Sequence, residues 1–573
     1  MTDHPTNPLK ADDLDVQPDM GRAHRRRWWV LVVILSATFM QLLDISIVGV
    51  AIASIQQTLG ASYADTQLVL VGYQIGFAAT LILAARLGDI YGRRRLFLIG
   101  MAAFTVASIA CGLAGSIDVL LVARVPQGVA SALMFSQVLA FIQVLFDPKE
   151  RGAALGAYGT TIGLGTILGP VAGGALIQAD LFSDPWRPIF LVNVPIGVVA
   201  LIAAALLLPA SRAQRRPRLD VTGAVLSALG LGAVLYALSE GRTRGWPLWL
   251  LTVLAAGVVV LVVFALYERS LSRAGRDPIL DTTLFADRAF RVGAAVNVVF
   301  YVGVPGFFLV FSIYLQAGQG FSALGTGLAV FAYALGAAVT ASSADTIALK
   351  IGNRVLVLGA GLLVVGMLAM SLTAHLVGTS PHISSWIPAM ALSGLGFGLF
   401  VPPVIDIVLV NVEPARAGSA SGTLATVQQV GGALGVAALG ILFFGLVAHT
   451  APTAAATAST TLTTAASAEP ATAAQAQQIT DTFTRCFTEQ ARGTDPTATP
   501  PGCAPTTDAP PAVTAAYAAA ATSATATTFA RSFTLSMWFQ VGVYLLTLAL
   551  VLRLPTANPR QLAERQQDIP TSA

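Results

Sequence analysis

Three ionisable residues stand out in stretches that are otherwise almost wholly apolar: Asp44, Arg124 and Asp406. A charge in hydrocarbon is costly, so such a side chain is kept where it meets a partner, a cavity or a proton pathway. Asp44 shares a helical stripe with Ala37, Gln41, Val48 and Ala51, while Leu35, Phe39 and Leu42 point elsewhere. That small, polar stripe is expected to face the interior of a bundle. A carboxyl there can take up and release a proton or hold a cationic group. Burial favours its neutral form and a nearby cation its ionised form. The plainer alternative is a hydrogen bond that only packs helices. Arg124 sits at nearly the same depth as Asp44. The difference is about 6 Å at 1.5 Å rise per residue, within reach of an arginine side chain. An Asp44–Arg124 interaction is therefore expected, with Gln127 on the same face, and a purely structural ion pair is the alternative. Asp406 follows Pro402 and Pro403 and is expected to line the inner mouth of a cavity, or else to be a shallow, solvated carboxylate.

The elements that must position these groups follow from composition. The chain has 573 residues, of which 55% are hydrophobic and 11% charged. A soluble domain carries about 25% charged residues. This excludes an ordinary soluble protein and a disordered one. Apolar stretches of about 20 residues recur along the length, as expected of an all-α polytopic membrane protein. Fourteen spans are read, at 28–54, 67–86, 96–115, 119–145, 152–178, 189–209, 221–239, 247–267, 290–316, 323–349, 355–376, 385–411, 417–448 and 531–553. Each must satisfy its backbone internally, and so must be a helix.

Basic residues gather in the tails and in every second loop, among them Arg25–Arg27, Arg93–Arg95 and Arg212, Arg215, Arg216 and Arg218. The positive-inside rule puts both termini in the cytoplasm. Residues 1–27 are polar, and the first span is too long for a signal-peptide core, so it is read as an uncleaved first helix. Residues 449–530 are rich in Ala, Thr and Pro, and are expected to form a flexible extracellular loop. Cys486 and Cys503 fall in it and can form a disulfide on the oxidising side, the alternative being two free thiols. Cys111 reads as a small core residue. No histidine joins a metal or catalytic cluster, and no Gly-x-x-x-x-Gly-Lys-Ser/Thr loop is present for ATP. No enzyme activity and no cofactor are expected.

Between spans 2 and 3 runs Arg86-Leu-Gly-Asp-Ile-Tyr-Gly-Arg-Arg-Arg95, in which Gly88 and Gly92 allow a tight turn, Asp89 can accept hydrogen bonds and Arg93, Arg94 and Arg95 can pair with carboxylates across a moving interface. This loop resembles the signature of the major facilitator superfamily. Arg124-Val-Pro-Gln-Gly128 is similar to that superfamily's span-4 motif. In span 5, Gly165, Gly169 and Gly173 recur every four residues, with Pro170 and Gly174 beside them, and bare one face to a neighbouring helix. That segment resembles the motif of the superfamily's antiporters. Leu43-Asp-Ile-Ser-Ile-Val-Gly-Val-Ala51, Trp186-Arg-Pro-Ile-Phe-Leu-Val-Asn-Val-Pro-Ile-Gly197, Gly418-Ser-Ala-Ser-Gly422 and Gln428-Gln-Val-Gly-Gly-Ala-Leu-Gly435 resemble the fourteen-helix drug:proton antiporter branch.

The resemblance implies two six-helix bundles, 28–209 and 290–553, with a midplane site between them. Residues 210–289 become a linker of two transmembrane helices and a cytoplasmic segment, with 278–285 a short interfacial helix, and 1–27 and 554–573 the cytoplasmic tails. It implies export of hydrophobic or cationic drugs against protons by alternating access. Asp44 and Arg124 would couple the proton, the arginine loop would gate the cytoplasmic side, and the span-5 glycines would let the bundles rock. Gln41, Tyr73, Gln74, Gln127, Asn297, Tyr301, Asp406 and Gln428 are cavity candidates, with Gln137 and Phe308 further ones. Expected partners are small hydrophobic or cationic substrates, protons and the lipid bilayer, not nucleic acid, and the chain is expected to be a monomer. Arg-over-Lys and Ala bias point to a GC-rich bacterial genome and so to a bacterial plasma membrane. The competing readings are a carrier of one metabolite on the same fold and a membrane sensor or scaffold that does not transport.

Overall fold

Every one of the fourteen apolar stretches folds as helix in the computed structural model, which describes residues 26–61, 63–146, 148–179, 184–209, 220–274, 276, 278–280, 282–377, 382–409, 412, 417–468, 473–493, 503 and 511–555. The first bundle comprises α1 (Arg27–Leu59), α2 (Tyr63–Tyr91), α3 (Arg93–Gly112), α4 (Ile117–Leu145), α5 (Pro148–Gln178) and a sixth span of α6 (Pro188–Leu191) and α7 (Asn193–Leu207). The linker pair is α8 (Val221–Thr243) and α9 (Leu248–Arg273). The second bundle comprises α10 (Arg288–Ile313), α11 (Ala323–Ile351), α12 (Arg354–Val377), α13 (Ile387–Leu409), α14 (Ala417–Ala468) and α16 (Pro511–Val551), with α15 (Ala473–Arg492) between the last two. Twelve of the spans are long and apolar enough by themselves to cross a membrane. The two others are α2, whose apolar stretch is Leu68–Leu81, and the glycine-rich α5. Their composition suits helices packed against helices, where small residues replace apolar bulk.

The packing repeats. In the first bundle α1 packs on α5, α4 on both α2 and α3, and α7 on both α1 and α3. The second bundle repeats this eight spans later: α10 packs on α14, α13 on both α11 and α12, and α16 on both α10 and α12. The halves meet along α5–α11 and α2–α14, two contacts that exchange under the same relation. Two turns share it too. Gly92, between α2 and α3, has φ +98°, and Gly352, between α11 and α12, has φ +60°. Both are left-handed conformations that cost glycine least. Gly88 contributes its carbonyl, which accepts from the Gly92 N–H at 2.9 Å. It lies within α2, where a Cβ would collide with the Gln137 amide, so it serves close helix packing.

The expectation of a flexible loop over 449–530 is corrected. The α14 helix continues unbroken to Ala468, α16 begins already at Pro511, and α15 lies against the α14 extension. Ala455, Ala458, Leu462, Phe483, Val513, Ala520 and Ala524 form a small core of their own. Cys486 and Cys503 are disulfide-bonded. Alanine is the strongest helix former, and both extensions prolong helices already nucleated in the bundle, so a weakly charged Ala/Thr tract goes on as helix. In the linker, Thr282–Ala286 forms a short 3-10 turn rather than a longer interfacial helix.

Candidate functional site

Asp44 projects from the middle of α1 into the first bundle and is fully buried, as is Arg124 of α4 at 1% exposure. Arg124 Nη1 donates to Asp44 Oδ2 at 2.5 Å, and its Nε donates to the Val69 carbonyl at 3.2 Å. Gln127, one turn along α4, donates from Nε2 to Asp44 Oδ1 at 2.9 Å and accepts from Arg124 Nη1 on Oε1 at 2.7 Å. Asn193 donates from Nδ2 to the same Asp44 Oδ1 at 3.0 Å. Gln127 Nε2 also donates to Ser108 Oγ at 2.9 Å, and the Cys111 thiol donates to Gln127 Oε1 at 3.4 Å. The Arg124 guanidinium lies 4.4 Å from the Tyr73 ring centroid and 5.5 Å from that of Phe190. Asp44 thus holds three charge-stabilising donors from α4 and α7, and its counter-charge rests on two aromatic faces. Within a protein interior, attraction of this kind must repay the cost of desolvating both ions, which it does when the remaining donors and acceptors are satisfied.

The local sequence explains the positioning. A Cβ on Gly128 would collide with the Tyr73 carbonyl, so glycine there brings α2 and α4 into contact beneath Arg124. Tyr73 is held in turn by its hydroxyl, 2.8 Å from Ser131 Oγ. Gly165 and Gly169 of α5 sit against Leu42 and Ser46 of α1, where a Cβ would collide. The Ser46 hydroxyl donates to the Leu42 carbonyl at 2.7 Å and reaches the Gly165 carbonyl at 3.1 Å. The backbone stays helical through Val192, whose N–H donates to the Pro188 carbonyl at 2.9 Å, and α7 starts with Asn193, whose amide meets Asp44.

The other sequence candidates disperse. Gln41 is buried one turn before Asp44, and its Oε1 has no hydrogen-bond partner. Gln74 is exposed, while Tyr301, Phe308, Asp406 and Gln428 are half-buried. Gln428 Nε2 donates to Asn297 Oδ1 at 3.2 Å, a link between α14 and α10 in the second bundle. The α13 helix runs through Pro402 and Pro403 to Leu409 with Asp406 inside it. Gln137 donates to the Ala84 carbonyl at 3.1 Å, tying α4 to α2. Arg93 reaches the Ala140 carbonyl at 3.1 Å and Arg94 the Ala205 carbonyl at 2.5 Å, both within the first bundle, and Arg95 is exposed. These two contacts tie the turn to its own bundle. The side chains of Asp89 and Pro170 lie outside the described residues. Gly173 is buried, and beside Gly174 there is open space.

Sequence reasoning did not single out Asn193 or Ser108, which complete the Asp44 network. Asn193 belongs to the segment Trp186–Gly197, so a signal was present without a role. A buried acid pair in the linker was also missed. Asp220 Oδ1 accepts from the Gly223 N–H at 2.9 Å and the Tyr267 hydroxyl at 3.2 Å, and the neighbouring Glu268 Oε2 accepts from the Leu280 N–H at 2.9 Å. Both lie at helix ends, where a carboxylate reads as solvated.

Two repeated helical bundles with one buried ion pair in the first define a multi-pass membrane carrier. Residues 34–436 match the model of the Major Facilitator Superfamily, and the chain belongs to that family. It is similar to a probable actinorhodin transporter of Streptomyces coelicolor, 38% identical over 544 residues and covering 94% of this chain and 93% of that one. The puromycin resistance protein of Streptomyces alboniger is 37% identical over 429 residues, covering 74% and 83%. The tetracenomycin C resistance and export protein of Streptomyces glaucescens is 34% identical over 436 residues, covering 74% and 78%. The chain is therefore an all-α membrane transporter of the major facilitator fold.

Proposed function

We propose that this protein exports hydrophobic or cationic antibiotics across a bacterial plasma membrane in exchange for protons. The observation that carries the reading is Asp44: a fully buried carboxyl in the first span, bonded to Arg124, Gln127 and Asn193. A proton arriving on Asp44 cancels its attraction to Arg124. The guanidinium keeps its contacts to Gln127, the Val69 carbonyl and the aromatic faces, so it remains satisfied while the carboxyl turns neutral. Protonation would thereby loosen α1 from α4, and α1 packs on the glycine face of α5, which meets the other bundle through α11. The termini and the Arg93–Arg95 turn would face the cytoplasm, with the α14–α15–α16 module outside. The relatives' names support drug export as the task.

The test is accumulation of ethidium or puromycin inside inverted vesicles, the direction that corresponds to efflux from the cell, under an imposed pH gradient acid inside. Wild type is expected to respond to the gradient and Asp44→Asn to lose that response. Undiminished gradient-driven efflux by the variant would overturn the assignment of Asp44. If wild type moves neither compound, a carrier of one defined metabolite replaces the drug reading.

A further inference from the structure

Asn193 is fully buried and its Nδ2 bonds Asp44, yet its Oδ1 has no hydrogen-bond partner. A buried amide carbonyl without a partner costs on the order of a lost hydrogen bond, so it calls for a physical reason. The two oxygens of Asp44 supply it. Oδ2 faces Arg124 and Oδ1 faces the amides of Gln127 and Asn193, so every group bonded to Asp44 is a donor. That arrangement suits a carboxylate. A protonated Asp44 carries an O–H that needs an acceptor, and arginine has none. Gln127 has none to spare. Its Oε1 is taken by Arg124 Nη1 and the Cys111 thiol, and turning the amide over would aim its NH₂ at the guanidinium. Asn193 alone of the residues bonded to Asp44 can turn its amide by half a rotation, losing one bond and gaining another.

We infer that Asn193 is the positioning residue for the Asp44 proton, its amide donating to the ionised carboxylate and, once turned, accepting the O–H of the protonated acid through Oδ1. The proton leaves a hydronium ion on the aqueous side, which becomes water, and forms an O–H bond to Asp44 Oδ1; the Asn193 Nδ2 hydrogen bond to Oδ1 is exchanged for one from that O–H to Asn193 Oδ1. The titratable groups facing Asp44 are Arg124 from α4, Tyr73 from α2 and Cys111 from α3; α6–α7 contributes Phe190 and Asn193, and the α5 glycines lie against Leu42 and Ser46 on the other side of α1. Neither of the neighbours from α6 and α7 titrates, so the amide supplies what no acid or base there does. This inference rests on Asp44 being the carboxyl that exchanges the proton.

The experiment is pH-induced infrared difference spectroscopy of the full chain in detergent. A carboxylic C=O band that vanishes in Asp44→Asn identifies the protonated acid. In wild type it is expected at the lower wavenumber of a hydrogen-bonded acid. In Asn193→Leu, which is nearly isosteric and has no acceptor, it is expected to rise to the wavenumber of a free acid. A second measurement needs no change at position 193. In wild type with isotope-labelled asparagine, an amide carbonyl band is expected to shift in step with the Asp44 band, and to stay still in Asp44→Asn. If no band is lost in Asp44→Asn, the reading of Asp44 itself fails. If that band exists but neither moves in Asn193→Leu nor is accompanied by an asparagine band, Asp44 stands and the inference about Asn193 is overturned.

Discussion

The two bundles have the same packing and opposite interiors. Superposing the repeats on the glycines where helices touch pairs Tyr73, Gly76 and Gly128 with Tyr333, Gly336 and Gly394, and Gly165 and Gly169 with Gly431 and Gly435. On that correspondence Arg124 is matched by Met390, Gln127 by Ser393 and Asp44 by Gly303. A Cβ on Gly303 would collide with the Tyr544 ring, so an aromatic fills the volume beside the carboxylate's counterpart. Around it the second bundle is bound by rings: Phe300 on Phe400 at 4.3 Å, Tyr314 on Phe533 at 4.4 Å, and Trp386 edge-on to both Tyr314 and Phe533. The first bundle spends its centre on an ion pair whose strength depends on a proton. At the matching place the second has Gly303, against the Tyr544 ring and with its carbonyl accepting from Gln540 Nε2. Under the proposed proton exchange at Asp44, a change in protonation would act on the first half of the molecule and not on the second.

The comparison can be broken from either side. Arg124→Leu leaves Asp44 buried without its partner, and is expected to destabilise the chain by about 3–5 kcal/mol and abolish transport; thermal unfolding in detergent reads the first and vesicle transport the second. Phe300→Ala should cost about 3–5 kcal/mol by opening a cavity in the ring cluster. Its surviving folded fraction is expected to keep the wild-type dependence of efflux on the pH gradient. A lost gradient response in that variant would mean that both halves sense the proton. Cys486→Ser with Cys503→Ser is expected to weaken only the far-end module, by about 3 kcal/mol for a loop of this size, seen as faster proteolysis there at unchanged efflux.

Smaller effects sharpen the same contrast. Gly169→Val pushes α5 off Ser46 of α1 and should cost about 1–3 kcal/mol, with a slower turnover under a gradient. Gln428→Leu breaks the bond to Asn297 in the second bundle. About 0.6 kcal/mol is typical of such interhelical bonds, and the pH response of efflux should be unmoved.

The positions of the spans were legible because long apolar runs with so few charges are stable only where lipid replaces water. The meeting of Asp44 with Arg124 was legible too, since depth along two helices is simple arithmetic. Three things were not. Asn193 needed the packing of α7 against α1, which brings its amide to Asp44. The helical character of 449–468, 473–492 and 511–530 was hidden by their threonines and low charge, although their alanines favour helix and the outer two prolong formed helices. Asp220 and Glu268 looked solvated because helix ends usually are; it takes the α8–α9 pairing and the Leu280 backbone to bury them. The contrast between the bundles was likewise invisible before the touching glycines fixed which residues correspond.

The central claim is that Asp44 gives up and takes up the coupling proton. In weakly buffered detergent solution, at a pH where the infrared band shows Asp44 protonated, adding puromycin or ethidium to the purified chain should release about one proton per molecule bound, as expected when occupancy shifts the ionisation of one buried carboxyl. Asp44→Asn, binding the same compound, should release none. Equal release from wild type and variant would contradict the account.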